Sequence, residues 1–216
     1  ANNSPLVVIV GETASGKSAL AMALAEKFNG EIIAADSWTV YKGFDIGTAK
    51  PSLEEQAKIP HHLLDVADPE KGFNAALFKR LAVQTINNVS DREKLPILVG
   101  GAGLYIDSVL YDYEFLPAPK DGQRKQLNSL ELPVLLEVVE SLNLDTDTID
   151  IRNKRRVIRL IENNGRQPSK KPLRGNTLII GLQIPPHVLE KNIKQRVDSM
   201  VGAGFIDEVK QLGKKY

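Results

Sequence analysis

The run Gly11-Glu12-Thr13-Ala14-Ser15-Gly16-Lys17-Ser18 constrains this chain more than any other feature. It has the spacing of a phosphate-binding P-loop, a pattern that is specific when a strand precedes it and a helix follows. Both flanks agree. Leu6 to Val10 is a continuous apolar run dominated by valine and isoleucine, which reads as a strand buried on both faces. Lys17 to Phe28 carries Leu20, Leu24 and Phe28 at helical spacing, and Asn29-Gly30 stops it. The glycines let successive backbone N–H groups converge on phosphate oxygens, and the helix N-terminus adds partial positive charge. Lys17 adds a full charge. Ser18 offers its hydroxyl to a magnesium ion bridging phosphate oxygens.

The rest of the chain extends this opening. Glu31 to Ala35 reads as a second strand, Leu95 to Val99 as a third and Thr177 to Leu182 as a further one. Phe73 to Val89 is helical, and Gly43 to Pro60 reads as loop with a short helix. The alternation predicts an α/β fold, a P-loop NTPase-like doubly wound parallel sheet with helices on both faces. Residues 117–174 interrupt it with helical patterns at Gln123 to Leu130, Val134 to Leu142 and Asn153 to Asn163, and no convincing strand. A core of residues 1–116 plus 175–216 with a helical insertion at 117–174 is therefore expected. After Pro185-Pro186 a helix from about His187 to Val201 has Leu189, Ile193, Val197 and Met200 along one side, and a last helix starts near Phe205.

Composition narrows the chemistry. There is no cysteine, which removes disulfides, thiolate catalysis and cysteine-based zinc sites and fits a reducing, cytoplasmic setting. Three histidines, two of them the pair His61 and His62, are thin material for a metal site. No apolar run approaches the ~20 residues of a membrane span. Ala1 to Pro5 has neither a basic head nor a cleavage site, so no leader and no membrane partner are expected. The formal net charge is only +1, yet Arg152 to Arg174 holds nine Lys/Arg against the single acid Glu162. Arg152, Arg156 and Arg159 are spaced by four and three, so a helix presents them on one broad face. A polyanion site and an ordinary solvated face both fit that pattern.

Three further positions invite a role, each with a plainer alternative. Asp36 lies at the carboxyl end of the second strand, the edge where open parallel sheets bind ligands. It can hold magnesium, act as a general base, or simply cap the following turn. Gly100-Gly101-Ala102-Gly103 follows the third strand and permits close backbone approach to a ligand, or is only a tight turn. Arg196 stands at the edge of a helix's apolar stripe. It suits a leaving phosphate because its planar fork makes bidentate contacts, although a lone helix arginine is more often a surface residue.

At these residues the chain resembles the tRNA dimethylallyltransferase (tRNA isopentenyltransferase) family. The resemblance runs from about Leu6 to Leu212 through GETASGKS, EIIAADSWTVYKGFDIGTAKP, PHHLLDV, PILVGGAGLY, RRVIRLIE, and QRVDSM before GFIDEV. The order and spacing of these blocks is far more specific than the P-loop alone. It implies transfer of a dimethylallyl group from dimethylallyl diphosphate to N6 of the adenosine next to the anticodon of tRNA, with release of pyrophosphate and no need for ATP. Asp36 would then be the general base, Thr13 to Ser18 would hold the donor, and Arg196 would stabilise the departing pyrophosphate with Lys17, Ser18 and magnesium. Asp36, Ser37, Trp38 and Thr39, then Ala102, Arg124, and Arg155, Arg156, Val157, Ile158 and Arg159, fall where the family touches tRNA. Four departures accompany the resemblance: Glu12 in place of the family's proline, Trp38 where a smaller or polar residue is usual, Ala102 in place of threonine, and no C-terminal helices of the family. A monomer is expected. Two rival readings remain at this stage, a small-molecule P-loop kinase and a tRNA-binding module without catalysis.

Overall fold

The computed structural model describes residues 4–117 and 122–216. Five parallel strands form one sheet. In chain order the elements of its first half are β1 (Leu6–Gly11), α1 (Lys17–Lys27), β2 (Gly30–Ala35), α2 (Leu53–Lys58), β3 (His61–His62), α3 (Ala75–Asp91), β4 (Leu95–Gly100) and α4 (Gly103–Leu110). Then come α5 (Gln123–Ser129), α6 (Leu132–Ser141), α7 (Lys154–Glu162), β5 (Thr177–Leu182), α8 (Pro186–Gly202) and α9 (Phe205–Lys215). The strand order is β3-β2-β4-β1-β5, so β1, with the P-loop at its end, lies next to the point where the winding reverses.

Period-two alternation sorts the residues of β1, β2 and β4 onto two buried faces, while Leu178 and Ile179 of the edge strand β5 are exposed. Val7, Ile9, Ile32, Ile97 and Val99 pack with Ala21 and Ala25 of α1. Val8, Ile33 and Leu98, fully buried, point to the other side, and α3, which packs against β2, β4 and α4, brings the buried Phe78, Ala82 and Ile86. Caps set the helix starts: Asn74 accepts the N–H of Leu77 at 2.9 Å, and Ser52 with Glu55 closes a capping box on α2. Gly100 is obligatory, because a Cβ there would lie 1.9 Å from the Ala35 carbonyl oxygen of the neighbouring strand.

Several expectations change. The glycine run after β4 is not only a turn, since α4 starts at Gly103. The two histidines form β3, an edge strand of two residues that carries no hydrophobic period. The apolar side of α8 is not a packed face: Ile193 and Val197 are exposed, and neither α8 nor α9 contains a buried residue.

The chain divides into two compact units, residues 1–112 with 171–216 and residues 113–170, against the expected insertion of 117–174. The second unit has its own core of Leu127, Leu135, Val139, Val157, Ile158, Leu160 and Ile161, drawn from α5, α6 and α7.

Candidate active site

The P-loop geometry follows from its glycine and its one strained alanine. Gly16 caps α1 at φ 91° and Ala14 sits at φ 64°, so two left-handed positions alternate and turn the intervening backbone N–H groups inward. The Glu12 carbonyl accepts from the Ser15 N–H at 3.2 Å and from Lys17 Nζ at 2.9 Å. The contribution of Glu12 to this loop is thus its backbone; its side chain is exposed, and the residue lines a separate depression with Gly11, Gly101, Gly103 and Asp107. Ser15 is buried beneath the loop, and its Oγ has no hydrogen-bond partner among the described residues.

A cleft of about 280 Å³ opens beside the loop at the carboxyl edge of the sheet. Thr13, Lys17, Ser18 and Arg196 line one part, Asp36 and Thr39 another, and Met22, Ile32, Leu64 and Val99 supply an apolar wall. Burial, then repulsion from Arg196, holds the Lys17 ammonium below the usual lysine value, with Asp36 opposing. Lys17 and Arg196 thus repel each other in the cleft, with Asp36 opposing that effect on Lys17, an arrangement that an anionic ligand completes. Ala14, Gly16, Asn192 and Gln195 meet Lys17, Ser18 and Arg196 in an adjoining depression, and Asn192 Nδ2 donates to the Ala14 carbonyl at 3.1 Å.

Of the roles open to it, Asp36 takes up the turn cap. Its Oδ1 accepts the N–H groups of Trp38 at 2.8 Å and Thr39 at 3.3 Å, the turn-capping role. Among the described residues Oδ2 has no hydrogen bond, and the residue lines the cleft. The cap fixes the carboxylate and leaves one oxygen for chemistry. Thr39 is buried, and its Oγ1 has no hydrogen-bond partner among the described residues, so the cleft contains a polar group awaiting a partner. Ser37 and Trp38 are exposed; Trp38 is 59% accessible, and its ring centroid lies 6.2 Å from that of Phe44 in a stacked pair. His61 also lines the cleft, and burial keeps its imidazole below the usual value against the opposing effect of the Ile59 carbonyl, 2.7 Å from Nδ1.

Ala102 caps α4 and donates its N–H to the Ala35 carbonyl at 3.3 Å, so it sits at the same strand edge without lining the cleft. No group of three or more His, Cys, Asp or Glu suited to a metal occurs among the described residues. Ser18 and Asp36 nevertheless form an all-oxygen donor pair beside the phosphate cradle. That pair fits magnesium, which is held by one or two carboxylates plus substrate phosphates rather than by a protein cage.

The second unit carries the remaining candidates, and here the expectations need correction. Val157 and Ile158, expected at a tRNA contact, are fully buried in the core of that unit, so their side chains hold α7 down instead. Arg124 directs Nε and Nη2 at the two oxygens of the buried Glu162. Arg159 shares Glu162 and donates Nη2 to the Leu116 carbonyl at 3.2 Å. Arg152 pairs with Asp150. That leaves Arg155 and Arg156 as exposed arginines of α7 without a side-chain hydrogen bond or ion pair among the described residues. The basic run is thus partly consumed by structure.

Sequence reasoning assigns no role to two residues that bear on this site. The Thr48 carbonyl accepts from Arg196 Nη2 at 3.3 Å, and Glu208 binds the loop that carries Thr48. Their only signal is membership of the blocks DIGTAKP and GFIDEV.

A sequence model described as IPP transferase matches residues 39–216. The tRNA dimethylallyltransferase of Anoxybacillus flavithermus is 44% identical over 218 residues, spanning 96% of this chain and 70% of that protein. That of Bacillus licheniformis is 41% identical over 223 residues, with 96% and 71% covered. Among solved structures, the full-length tRNA isopentenylpyrophosphate transferase of Bacillus halodurans superposes with a TM-score of 0.71 at 38% identity, covering 98% of this chain and 71% of that one. A eukaryotic dimethylallyltransferase acting on tRNA gives 0.80 at 30% identity, covering 99% and 56%. The family model over most of the chain and relatives of this identity and coverage show that the chain belongs to the tRNA dimethylallyltransferase (IPP transferase) family.

Proposed function

We propose that this chain transfers a dimethylallyl group from dimethylallyl diphosphate to N6 of the adenosine next to the anticodon of tRNA, releasing pyrophosphate. One observation carries the reading: a single cleft joins a cationic phosphate cradle, a carboxylate and an apolar wall. A donor with a charged diphosphate and a short hydrocarbon tail needs the first and third features together. A kinase acting on a polar metabolite has no use for Met22, Leu64 and Val99 beside its phosphates.

The chemistry follows from the substrates. The exocyclic amine of adenine is a poor nucleophile because its lone pair is delocalised into the ring. As N6 bonds to the allylic carbon, the carbon–oxygen bond to diphosphate breaks and one N6 proton must leave. Asp36, whose Oδ2 has no hydrogen bond among the described residues, would take that proton. Lys17, Arg196 and the loop N–H groups stabilise the charge gathering on the leaving pyrophosphate. Magnesium, which Ser18 would hold together with the diphosphate, would supply further neutralisation of that charge when bound. Trp38, exposed in the turn that Asp36 caps, offers a stacking surface for a base that has left its helix. Arg155 and Arg156 serve the phosphate backbone. The protein acts in the cytoplasm as a monomer.

Incubation with labelled dimethylallyl diphosphate and unmodified tRNA tests the reading. Label in RNA is expected; phosphate transfer from ATP with no label in RNA contradicts it.

A further inference from the structure

The block GFIDEV has no role in the chemistry of transfer, yet it closes on the active-site loop. Glu208 lies in the first turn of α9 and spends both carboxylate oxygens on three successive backbone N–H groups. Oε1 accepts from Asp45 at 2.8 Å and Ile46 at 2.7 Å, and Oε2 accepts from Gly47 at 2.9 Å. These residues are more than 160 positions away in sequence. Phe205, at the start of the same helix, fills the space where Gly47 has no side chain: a Cβ there would lie 2.5 Å from the ring.

The loop is fixed from its other side as well. Lys50, only 4% exposed, pairs with Asp45 at 2.6 Å and Asp65 at 2.7 Å and donates to the Tyr41 carbonyl at 3.0 Å. Between these two anchors sits Thr48, whose carbonyl accepts from Arg196. Thr48, Ala49 and Pro51 then form part of the cleft wall. Three N–H groups converging on one carboxylate define a backbone conformation far more tightly than a single hydrogen bond does.

We infer that Glu208 is a positioning residue for Arg196: by gripping the N–H groups of residues 45–47 it sets the Thr48 carbonyl, which in turn orients the guanidinium toward the diphosphate. Glu208 touches no reacting atom. The inference rests on the cleft holding a diphosphate leaving group, and its test separates the two claims.

Pyrophosphate affinity is measured by calorimetry, transfer by initial rates, and folding by melting temperature, for the wild type, Glu208→Gln, Glu208→Ala and Gly47→Ala. Gly47→Ala pushes a methyl group against Phe205 and loosens the same grip without touching Glu208. Glu208→Ala is expected to weaken pyrophosphate binding about tenfold, the scale of one hydrogen bond to a charged group. It should also lower kcat about 100-fold with less change in KM, as for a misplaced catalytic group. Glu208→Gln should fall between, and Gly47→Ala should follow Glu208→Ala. In an Arg196→Ala background the Glu208→Ala change should cost less than about twofold, because both act through one hydrogen bond. The inference is overturned if these variants only lower the melting temperature, or if the Glu208 and Arg196 effects multiply. Should Glu208→Ala fail to fold, Glu208→Gln and Gly47→Ala decide by the same criteria. Absence of transfer by the wild type would refute the proposed function, while the pyrophosphate arm still judges Glu208.

Discussion

In the proposed reaction Asp36 is both scaffold and reagent. Its Oδ1 is committed to the turn at Trp38 and Thr39, so replacing it with asparagine keeps the cap and removes the base. Asp36→Asn should lower transfer by about 100-fold or more, the contribution of a general base, while pyrophosphate affinity stays near wild type. Equal weakening of affinity, seen by calorimetry, would make Asp36 chiefly a metal ligand. Lys17 makes a prediction in pH. Its pKa is lowered in the free protein by burial and by Arg196, and a bound diphosphate favours the charged form. The Lys17 contribution to pyrophosphate binding, read as the difference between wild type and Lys17→Met, should thus be proton-neutral well below that lowered pKa and take up a proton as pH rises through it. Calorimetry in buffers of different ionisation enthalpy reads that uptake. Lys17, Ser18 and Asp36 are legible in the sequence because motif spacing and a strand end locate them, whereas Arg196 is reached through the family resemblance, since the helix stripe beside it is not a packed face. Glu208 is not, since a carboxylate that binds backbone N–H groups across 160 positions leaves no periodic trace.

At the scale of elements, α7 is the clearest lesson. Its arginine spacing is readable, but which arginines remain available depends on where Glu162 lies, and burial of that carboxylate draws in Arg124 and Arg159. Replacing Arg155 and Arg156 together should reduce the salt slope of tRNA binding by about 2, one for each phosphate no longer neutralised. Filter binding across a salt series measures it; an unchanged slope removes that face from the interface. Ile158→Ala should act differently, destabilising the chain by about 3 kcal/mol through a core cavity. Long periodic helices and Val/Ile-rich strands are legible because burial imposes a period. The two-residue β3 and the helix after Gly103 are not, because one is too short for a period and the other starts inside a glycine run.

The whole molecule depends on a charge that the chemistry does not use. Glu31, 1% exposed in β2, accepts both Arg92 nitrogens at 2.6 and 2.7 Å, with Lys94 at 2.9 Å and His62 at 2.7 Å. Hydrogen bonds from Arg92 first, then from Lys94 and His62, hold its carboxyl far below the usual range against the cost of burial. A carboxyl depressed on folding contributes stability above its unfolded pKa of about 4.3 and loses it as pH falls toward the folded value. Acid unfolding should steepen below that pH in the wild type and lose this component in Glu31→Gln, which costs about 3 kcal/mol at neutral pH. Fold class and phosphate chemistry can be read from the sequence because they rest on local patterns. The joining of cradle, base and apolar wall in one cleft cannot, since it is a property of the sheet order β3-β2-β4-β1-β5. The most direct measurement is therefore the mass of the adenosine next to the anticodon in unmodified tRNA treated with this protein and dimethylallyl diphosphate. The account predicts a gain of one dimethylallyl group in place of a hydrogen, without ATP; an unchanged adenosine in a reaction where the protein binds both substrates would contradict it.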